Sequence, residues 1–381
     1  MNAKIFIVTS EYYPMAAAGA ARVTPWVEEL LNIGHDVLVF SSKCVCGNAG
    51  RLVRSVFPTP GNKCSLGKRF FQEVLLGIDI GFKIWSRRKH CELCIVSSPP
   101  FFMAFICALF AHFIKIPFIF DVRDRYPRVL SDLGVIDRNS LIYRVLAILE
   151  SWTYQNTRQI TTVSTGLELE LKAKFPDLNI CLVRNGFDEN IFTEDRLSPT
   201  QNSDFTVVYH GRLGRFYDLD IYLEVMNLVH ELDPSVRFLM IGDFPEKLFS
   251  NRPENVEIMP SVPLVKLSEL LPVCHLGLCL LRELPAMKNA FPAKAYDYIG
   301  AGLPILAGPS GELTDMIEKM GIGVTFAEIN SRNVAQKIVE IKNNRALLAQ
   351  MCFSIKNNRT HFGRREISKA YFTKELSLNI N

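Results

Sequence analysis

Short apolar runs alternate with longer stretches in which apolar residues recur every three or four positions, almost from end to end of the chain. The short runs read as buried strands and the periodic stretches as amphipathic helices. In the first half this predicts strands over 4–9, 36–41, 93–97, 117–121, 159–163 and 180–184. Helices are predicted over 22–33, 65–88, 100–114, 140–156 and 165–175. Residues 193–204 are polar and aperiodic, which predicts a linker. The pattern then restarts, with strands over 205–210, 236–241, 256–258, 276–280, 304–307 and 323–325 and a helix over 264–272. Strands separated by helices imply parallel sheets with crossover helices, an α/β class of protein. Two Rossmann-like halves follow, an N-terminal one over 1–192 and a C-terminal one over 205–361. No repeat of 20–50 residues is visible.

Composition narrows this without naming a function. A chain of 381 residues exceeds one comfortable core and favours two domains. A net charge of +4 gives no general case for nucleic acid as a partner. The ten cysteines are scattered, with a lone CxxC at Cys91–Cys94 and a lone CxC at Cys44–Cys46. They read as reduced thiols and point to the cytosol. Met1 leads at once into Ile5-Phe-Ile-Val8, a first strand rather than a leader peptide. The longest apolar run, Pro99 to Phe120, contains His112 and Lys115 and is divided by Pro117. It predicts a buried helix and strand, not a membrane span.

Basic charge is concentrated locally. Residues 61–90 carry Lys63, Lys68, Arg69, Lys83, Arg87, Arg88 and Lys89 against Glu73 and Asp79. Phe71, Val74, Leu75, Ile78, Phe82 and Trp85 recur there at helical spacing. Two readings stay open: a stripe packed on the first domain with a solvated basic face, or a helix lying on an anionic bilayer. They are compatible if the stripe faces the sheet and only Phe70, Trp85 and the cations touch lipid.

The chemistry centres on Asn289-Ala-Phe-Pro-Ala-Lys-Ala-Tyr-Asp297, followed by Gly302-Leu-Pro304. Pro292 suits the first turn of a helix, whose free N–H groups and positive dipole end attract a diphosphate. Asp297 follows little more than a turn later, and Gly302-Leu-Pro304 ends the helix and opens a strand. This segment resembles the donor-binding signature of glycosyltransferase family 4, retaining enzymes of the GT-B fold. Phe291 and Gly302-x-Pro304 fall in register with that signature, while Asn289 stands where the family has an acid. The resemblance covers nearly the whole chain, down to a final helix near 362–377 that in the family crosses back to the first domain. It implies an active site in a cleft between the two halves.

Other segments fit the same resemblance. Val207-Val-Tyr-His210-Gly211-Arg212 matches the strand that places an Arg on the donor diphosphate, but Tyr217 stands where the family has a Lys. Arg215 and Lys294 are then the candidates for the second cation, with Lys294 better placed. Asp297 is expected to hold the ribose hydroxyls and Asn289 the donor hexose. Gly242 ends a strand on the nucleotide side, and Ser261-Val262-Pro263 resembles the segment whose backbone reads the base edge. On the acceptor side, the small-residue loop ending Gly19-Ala-Ala-Arg22 follows the first strand. Arg22 is read either as a phosphate ligand for a lipid-linked acceptor or as a helix-start charge. Arg123-Asp124 stands where many members have His-Asp, a form that looks like the subgroup building O-antigen and capsule units. It is read as an acceptor-side pair or as a self-paired loop salt bridge. Asp218-Leu-Asp220 imitates a metal-binding Asp-x-Asp but falls where a helix should start, so it reads as a cap. No metal and no cofactor is expected.

The resemblance thus implies transfer of a sugar from a UDP- or GDP-sugar to a lipid-linked glycan, by a protein peripheral on the inner face of the cell membrane. Two alternatives accompany it. One is a nucleotide-sugar epimerase of the same fold; the other is a catalytically weak subunit that binds a partner. The second draws on the departures at Asn289 and Tyr217.

Overall fold

The computed structural model describes residues 3–15, 17–43, 51–61, 64–197, 204–214 and 216–373. Cys44, Cys46, Lys63, Arg215, positions 198–203 of the expected linker and positions 374–381 lie outside them. The chain divides into two compact units, Asn185–Glu366 and, around it in sequence, Met1–Arg184 with the segment from Ile367 onward.

The first unit is built on β1 (Lys4–Val8), β2 (Asp36–Ser41), β3 (Leu52–Arg54), β4 (Cys91–Ser98), β5 (Phe118–Val122), β6 (Gln159–Thr162) and β7 (Ile180–Leu182). Their order is β3-β2-β1-β4-β5-β6-β7, all parallel. The second holds β8 (Thr206–His210), β9 (Arg237–Ile241), β10 (Val256–Met259), β11 (Leu276–Leu280), β12 (Ile305–Gly308) and β13 (Gly323–Thr325). Its order is β10-β9-β8-β11-β12-β13, again all parallel. Each sheet is covered by helices on both faces, which explains strands that are apolar throughout. In both sheets the strand order reverses once, between β1 and β4 and between β8 and β11. Open α/β sheets bind ligands at the carboxyl ends of the strands flanking such a point.

Every predicted strand is present within two residues at each end. The edge strand β3 carries no apolar run and was not predicted. The first helix, Ala18–Asn32, begins four residues before the expected start, because the small residues of the preceding loop continue it.

The division between units falls eight residues before the 1–192 boundary. Phe187 and Phe192 are buried in the second unit's core, where a Cβ on Gly300 would lie 2.8 Å from the Phe187 ring and 3.0 Å from that of Phe192. The final described helix, Arg364–Tyr371, starts where the Glu189 carboxylate accepts from the N–H groups of Arg365 (3.0 Å) and Glu366 (3.3 Å). Tyr371 and Phe372 are buried in the first unit, against Trp26 at ring separations of 6.1 and 5.7 Å. The Tyr371 hydroxyl donates to Gln159 Oε1 at 2.6 Å.

The helix Leu66–Arg87 turns inward the face opposite the Phe71–Trp85 stripe, against the reading that packs this stripe on the first domain. Its buried residues are Glu73, Leu76, Gly77, Ile80, Gly81 and Ile84. Gly77 and Gly81 bring it against the helix Phe101–Phe113: a Cβ at Gly77 would lie 3.0 Å from Met103 Cα, and one at Gly81 only 2.3 Å from the Phe110 ring. The stripe containing Phe71, Ile78, Phe82 and Trp85 therefore points outward, with Phe71 61 % and Phe82 57 % exposed. A spacing-based reading cannot choose between two apolar faces of one helix. The two glycines, which contribute nothing to an apolar count, decide it.

Candidate functional site

Between β8 and β11 the register pairs stop at Gly277↔Val208, while β8 continues beside β9 to His210 and β11 beside β12 to Leu280. The crevice this opens is floored by one side chain from the helix Ala293–Gly300. Tyr298 lies over Gly277, where a Cβ would sit 2.7 Å from its ring. Its hydroxyl accepts from the His210 backbone N–H (3.4 Å) and reaches the carbonyls of Val208 and Leu278 (both 3.3 Å). The polar backbone exposed by the parting strands is thereby satisfied.

The same helix carries Lys294 and Asp297 and is locked at its far end by Arg359. That buried guanidinium donates to the carbonyls of Gly300 (2.7 Å) and Phe192 (2.6 Å). A cation on the last carbonyls suits the negative end of a helix. Pro292 is the N-cap residue, one position outside the helix. Phe291 packs inward on Tyr296 (4.4 Å between ring centres) and Phe362 (6.3 Å). Its ring thus belongs to the core rather than to a donor surface. Asn289 is half-buried, and Val262 is half-buried against the same core.

Lys294 is only 7 % exposed, and its Nζ finds no hydrogen-bond partner among the described residues. It lies over the ring faces of Tyr209 (3.5 Å to the centre) and Tyr217 (3.9 Å), which meet nearly at right angles. Burial lowers its pKa to about 7, against the pull of Cys279 and Asp297. Gly211 turns at φ +97° beside the lysine, and a Cβ there would lie 3.9 Å from Lys294 Cε. Gly242 is required at the neighbouring strand end, since a Cβ would come within 2.3 Å of the Gly211 carbonyl oxygen. Arg212 follows with an exposed side chain, and its carbonyl accepts from the Tyr209 hydroxyl at 3.0 Å.

Asp297, 8 % exposed, places Oδ2 3.5 Å from His210 Nε2. Burial raises its pKa to about 7; Asp188 adds to this, while Arg364 and Lys294 oppose it. Burial, with the charge of Lys294, lowers His210 to about 3, so the imidazole is neutral at physiological pH. Asp218 is the N-cap of the helix Leu219–Leu232, its carboxylate accepting from the Asp220 N–H at 3.1 Å. Asp220 pairs with Lys247, and Asp218 with Arg282 at 3.4 Å.

The first unit holds a different arrangement. Ser97, Asp121 and Thr161 occupy one register row across β4, β5 and β6. Both hydroxyls donate to Asp121, at 2.9 and 2.8 Å. Arg22 completes the row through Nε at 3.0 and 2.9 Å and Nη2 at 2.7 Å, and stacks on Trp26. With its side chain 1 % exposed, Arg22 is committed to Asp121 and is neither a phosphate ligand nor a helix-start charge. Burial works against ionisation of Asp121, but the Arg22 charge outweighs it and holds the carboxyl below its usual range.

Gly19 is needed for an unexpected reason. The Glu11 carboxylate accepts from its N–H at 2.9 Å, and a Cβ there would lie 2.7 Å from Glu11 Oε2. Arg123 donates to the carbonyls of Ser98 (3.3 Å) and Pro99 (2.9 Å) rather than to Asp124, which is exposed.

The structure thus gathers Gly211, Gly242, Lys294 and Asp297 at one switch point, with Arg212 at the end of β8. Tyr298, His210, Arg359 and Asp121 were not foreseen. A polar residue inside an apolar strand was a usable signal for Asp121. The others act through backbone carbonyls or a neighbouring ring and leave no spacing to read.

Residues 204–344 match the family model described as glycosyl transferases group 1. The probable glycosyltransferase WbjE of Pseudomonas aeruginosa is 22 % identical over 280 residues, 69 % of each chain. Sucrose-phosphate synthase from Thermosynechococcus elongatus is similar in structure, with a TM-score of 0.74 at 14 % identity over 99 % of each chain. Anabaena HepE, solved in complex with UDP-glucose, gives 0.68 at 15 % identity over 98 % of this chain and 99 % of its own. The fold is GT-B: two Rossmann-like α/β units.

Proposed function

We propose that the protein is a retaining glycosyltransferase that moves a sugar from a nucleoside-diphosphate donor to a lipid-linked glycan or surface-polysaccharide precursor. One observation carries this reading. A buried lysine with no hydrogen-bond acceptor among the described residues stands at the start of a helix, at the switch point of the unit that matches the group 1 family model. A diphosphate supplies the missing acceptor, and the helix end favours its charge. Exposed Arg212 closes on the same group from the end of β8. The UDP-glucose bound by HepE, which shares the fold, supports a nucleotide-sugar donor.

In the proposed reaction the bond from the sugar's anomeric carbon to the diphosphate breaks. The new bond to the acceptor oxygen forms on the same face, and the acceptor proton passes to the departing phosphate oxygen. Arg212 and Lys294 stabilise the charge that develops on that leaving group, a task for which one preorganised donor is worth roughly 3–4 kcal/mol. Two such cations do the work a metal does elsewhere, so the reading calls for none. Asp297 contributes from the interior of the site, where it accepts ribose hydroxyls once it has lost its proton. Asn289 faces the donor sugar with an amide in place of a carboxylate.

The acceptor assignment rests on the outward stripe of Leu66–Arg87 and its basic neighbours Lys68, Arg69, Lys83, Arg87, Arg88 and Lys89. In this reading they meet an anionic bilayer at the cytoplasmic face, where each cation adds attraction. Among the described residues no helix is long and apolar enough to cross a membrane.

The test is thermal stabilisation by UDP, GDP, ADP and TDP with EDTA present. At a hundredfold excess over Kd a bound nucleotide adds about 2.7 kcal/mol. A shift with one nucleotide that is lost in Arg212→Ala is the expected result. No shift with any of them favours a partner-binding subunit, the reading that the residues at 217 and 289 would then support.

A further inference from the structure

Tyr217 stands where the resembling enzymes have a second cation, and the structure gives it different work. Among the described residues, no hydrogen bond ties down the Lys294 amine. It sits in the corner of two tyrosine faces, 3.5 and 3.9 Å from their centres. Those rings are themselves braced by Tyr222, whose ring centre is 5.0 Å from that of Tyr209 and 6.4 Å from that of Tyr217. Ring faces attract an ammonium electrostatically without providing a lone pair. The amine is thereby held in place with its N–H groups uncommitted.

We propose that Tyr209 and Tyr217 are positioning residues, a two-walled aromatic holder that keeps the Lys294 amine ready for the phosphate oxygens of a nucleoside diphosphate. Lys294, so held, then serves beside Arg212 as the second cation, in place of the lysine that the resemblance leads one to expect at position 217. This inference rests on the donor-site reading above and adds to it the means by which the lysine is held.

A consequence is that donor binding takes up a proton. The groups facing the amine are Asp297 from its own helix, Cys279 from β11, Tyr209 and His210 from β8, and Tyr217 from the loop after β8. Burial outweighs Asp297 and Cys279, leaving a substantial share of the amine neutral above pH 7. An arriving diphosphate favours the charged form, so –NH2 becomes –NH3⁺ with one proton drawn from solvent.

Two measurements test this together. The first is calorimetric titration of UDP and GDP at pH 8, in buffers of different ionisation enthalpy, into wild type, Tyr217→Phe and Tyr217→Ala. The holder predicts proton uptake and similar affinity in wild type and Tyr217→Phe. In Tyr217→Ala it predicts affinity lower by roughly tenfold, the order of one cation–π contact, and loss of the uptake. The second follows the ¹³C-methylated Lys294 amine by NMR against pH in the ligand-free proteins. Its titration should stay depressed in Tyr217→Phe and move toward the ordinary lysine value in Tyr217→Ala, where opening the wall to solvent outweighs the lost attraction of the ring.

Equal affinity and equal uptake in Tyr217→Ala, or an unchanged Lys294 titration there, overturns the holder. If neither nucleotide binds the wild type, the donor-site reading fails instead. The NMR titration still decides whether the two rings hold the amine.

Discussion

Arg22 and Asp121 meet in the interior of the first unit through three hydrogen bonds of 2.7–3.0 Å, with both side chains shut off from solvent. A pair so placed is costly to break from one side, because the remaining charge stays buried without its partner. Asp121→Asn should therefore destabilise the protein by about 3–5 kcal/mol in urea unfolding. Arg22→Met with Asp121→Asn should cost less than the sum of the single changes. Because the Asp121 pKa is depressed, its stabilisation is full above the usual carboxylate range and is lost as pH falls through the lower folded value. Asp121→Asn should flatten the acid limb of the stability profile.

The two faces of the helix Leu66–Arg87 should separate cleanly under mutation. Gly81→Leu drives a side chain into the Phe110 ring and should lower Tm by several degrees, as overpacking costs about 1–3 kcal/mol. Phe71→Glu with Trp85→Glu alters only the outward stripe. It should leave Tm nearly unchanged and abolish sedimentation with anionic vesicles; persistent sedimentation would show that another surface binds them.

Asp297 predicts a pH-dependent difference. Its folded pKa of about 7 lies above the ordinary 3.8, so the folded state holds a proton that the unfolded state has lost between these values. Stability contributed by the group therefore falls as pH rises from about 4 to 7. His210, lowered to about 3, acts in the opposite sense over much of the same range and masks it in the wild type. Asp297→Asn should gain stability over wild type across that window, on the order of 2–4 kcal/mol at its upper end. A difference that does not change with pH would mean the carboxyl titrates normally.

Arg359 ties the helix bearing Lys294 to the residues that open the second unit. Arg359→Met should cost about 2–3 kcal/mol, by leaving the carbonyls of Gly300 and Phe192 without their charged donor. It should also weaken nucleotide binding through looser placement of the helix, as seen in calorimetry at temperatures where the variant remains folded.

Much of the architecture was legible because a parallel sheet covered on both sides demands apolar strands at helix-length intervals, and this chain has them. The switch-point segments were legible because Gly211, Gly242 and Gly302 stand at turns that only glycine fills readily, with φ of +97°, +153° and +71°. What escaped depends on partners distant in sequence. Arg22 looked available until Asp121, 99 residues away, proved to hold it. Phe291 looked like a donor contact because it lies in the motif, yet its ring serves the core with Tyr296. For the stripe of Leu66–Arg87 the sequence leaves two readings open, because apolar periodicity measures amphipathicity and carries no information about where a second helix needs glycine. Tyr217 appeared only as a missing lysine; its contact with Lys294, 77 positions later in the chain, is visible only in three dimensions.

The burial of Tyr371 and Phe372 against Trp26 has a bearing on how the chain is made. A ribosome delivers residues 1–184 long before it delivers 371 and 372, so for most of synthesis the first unit lacks part of its core. The second unit, contiguous from Asn185 to Glu366, has all its parts before the first is complete. Translation that stops short of Tyr371 would release a chain whose later unit is whole and whose earlier unit is not, a client for chaperones and proteases in proportion to the apolar surface left uncovered around Trp26.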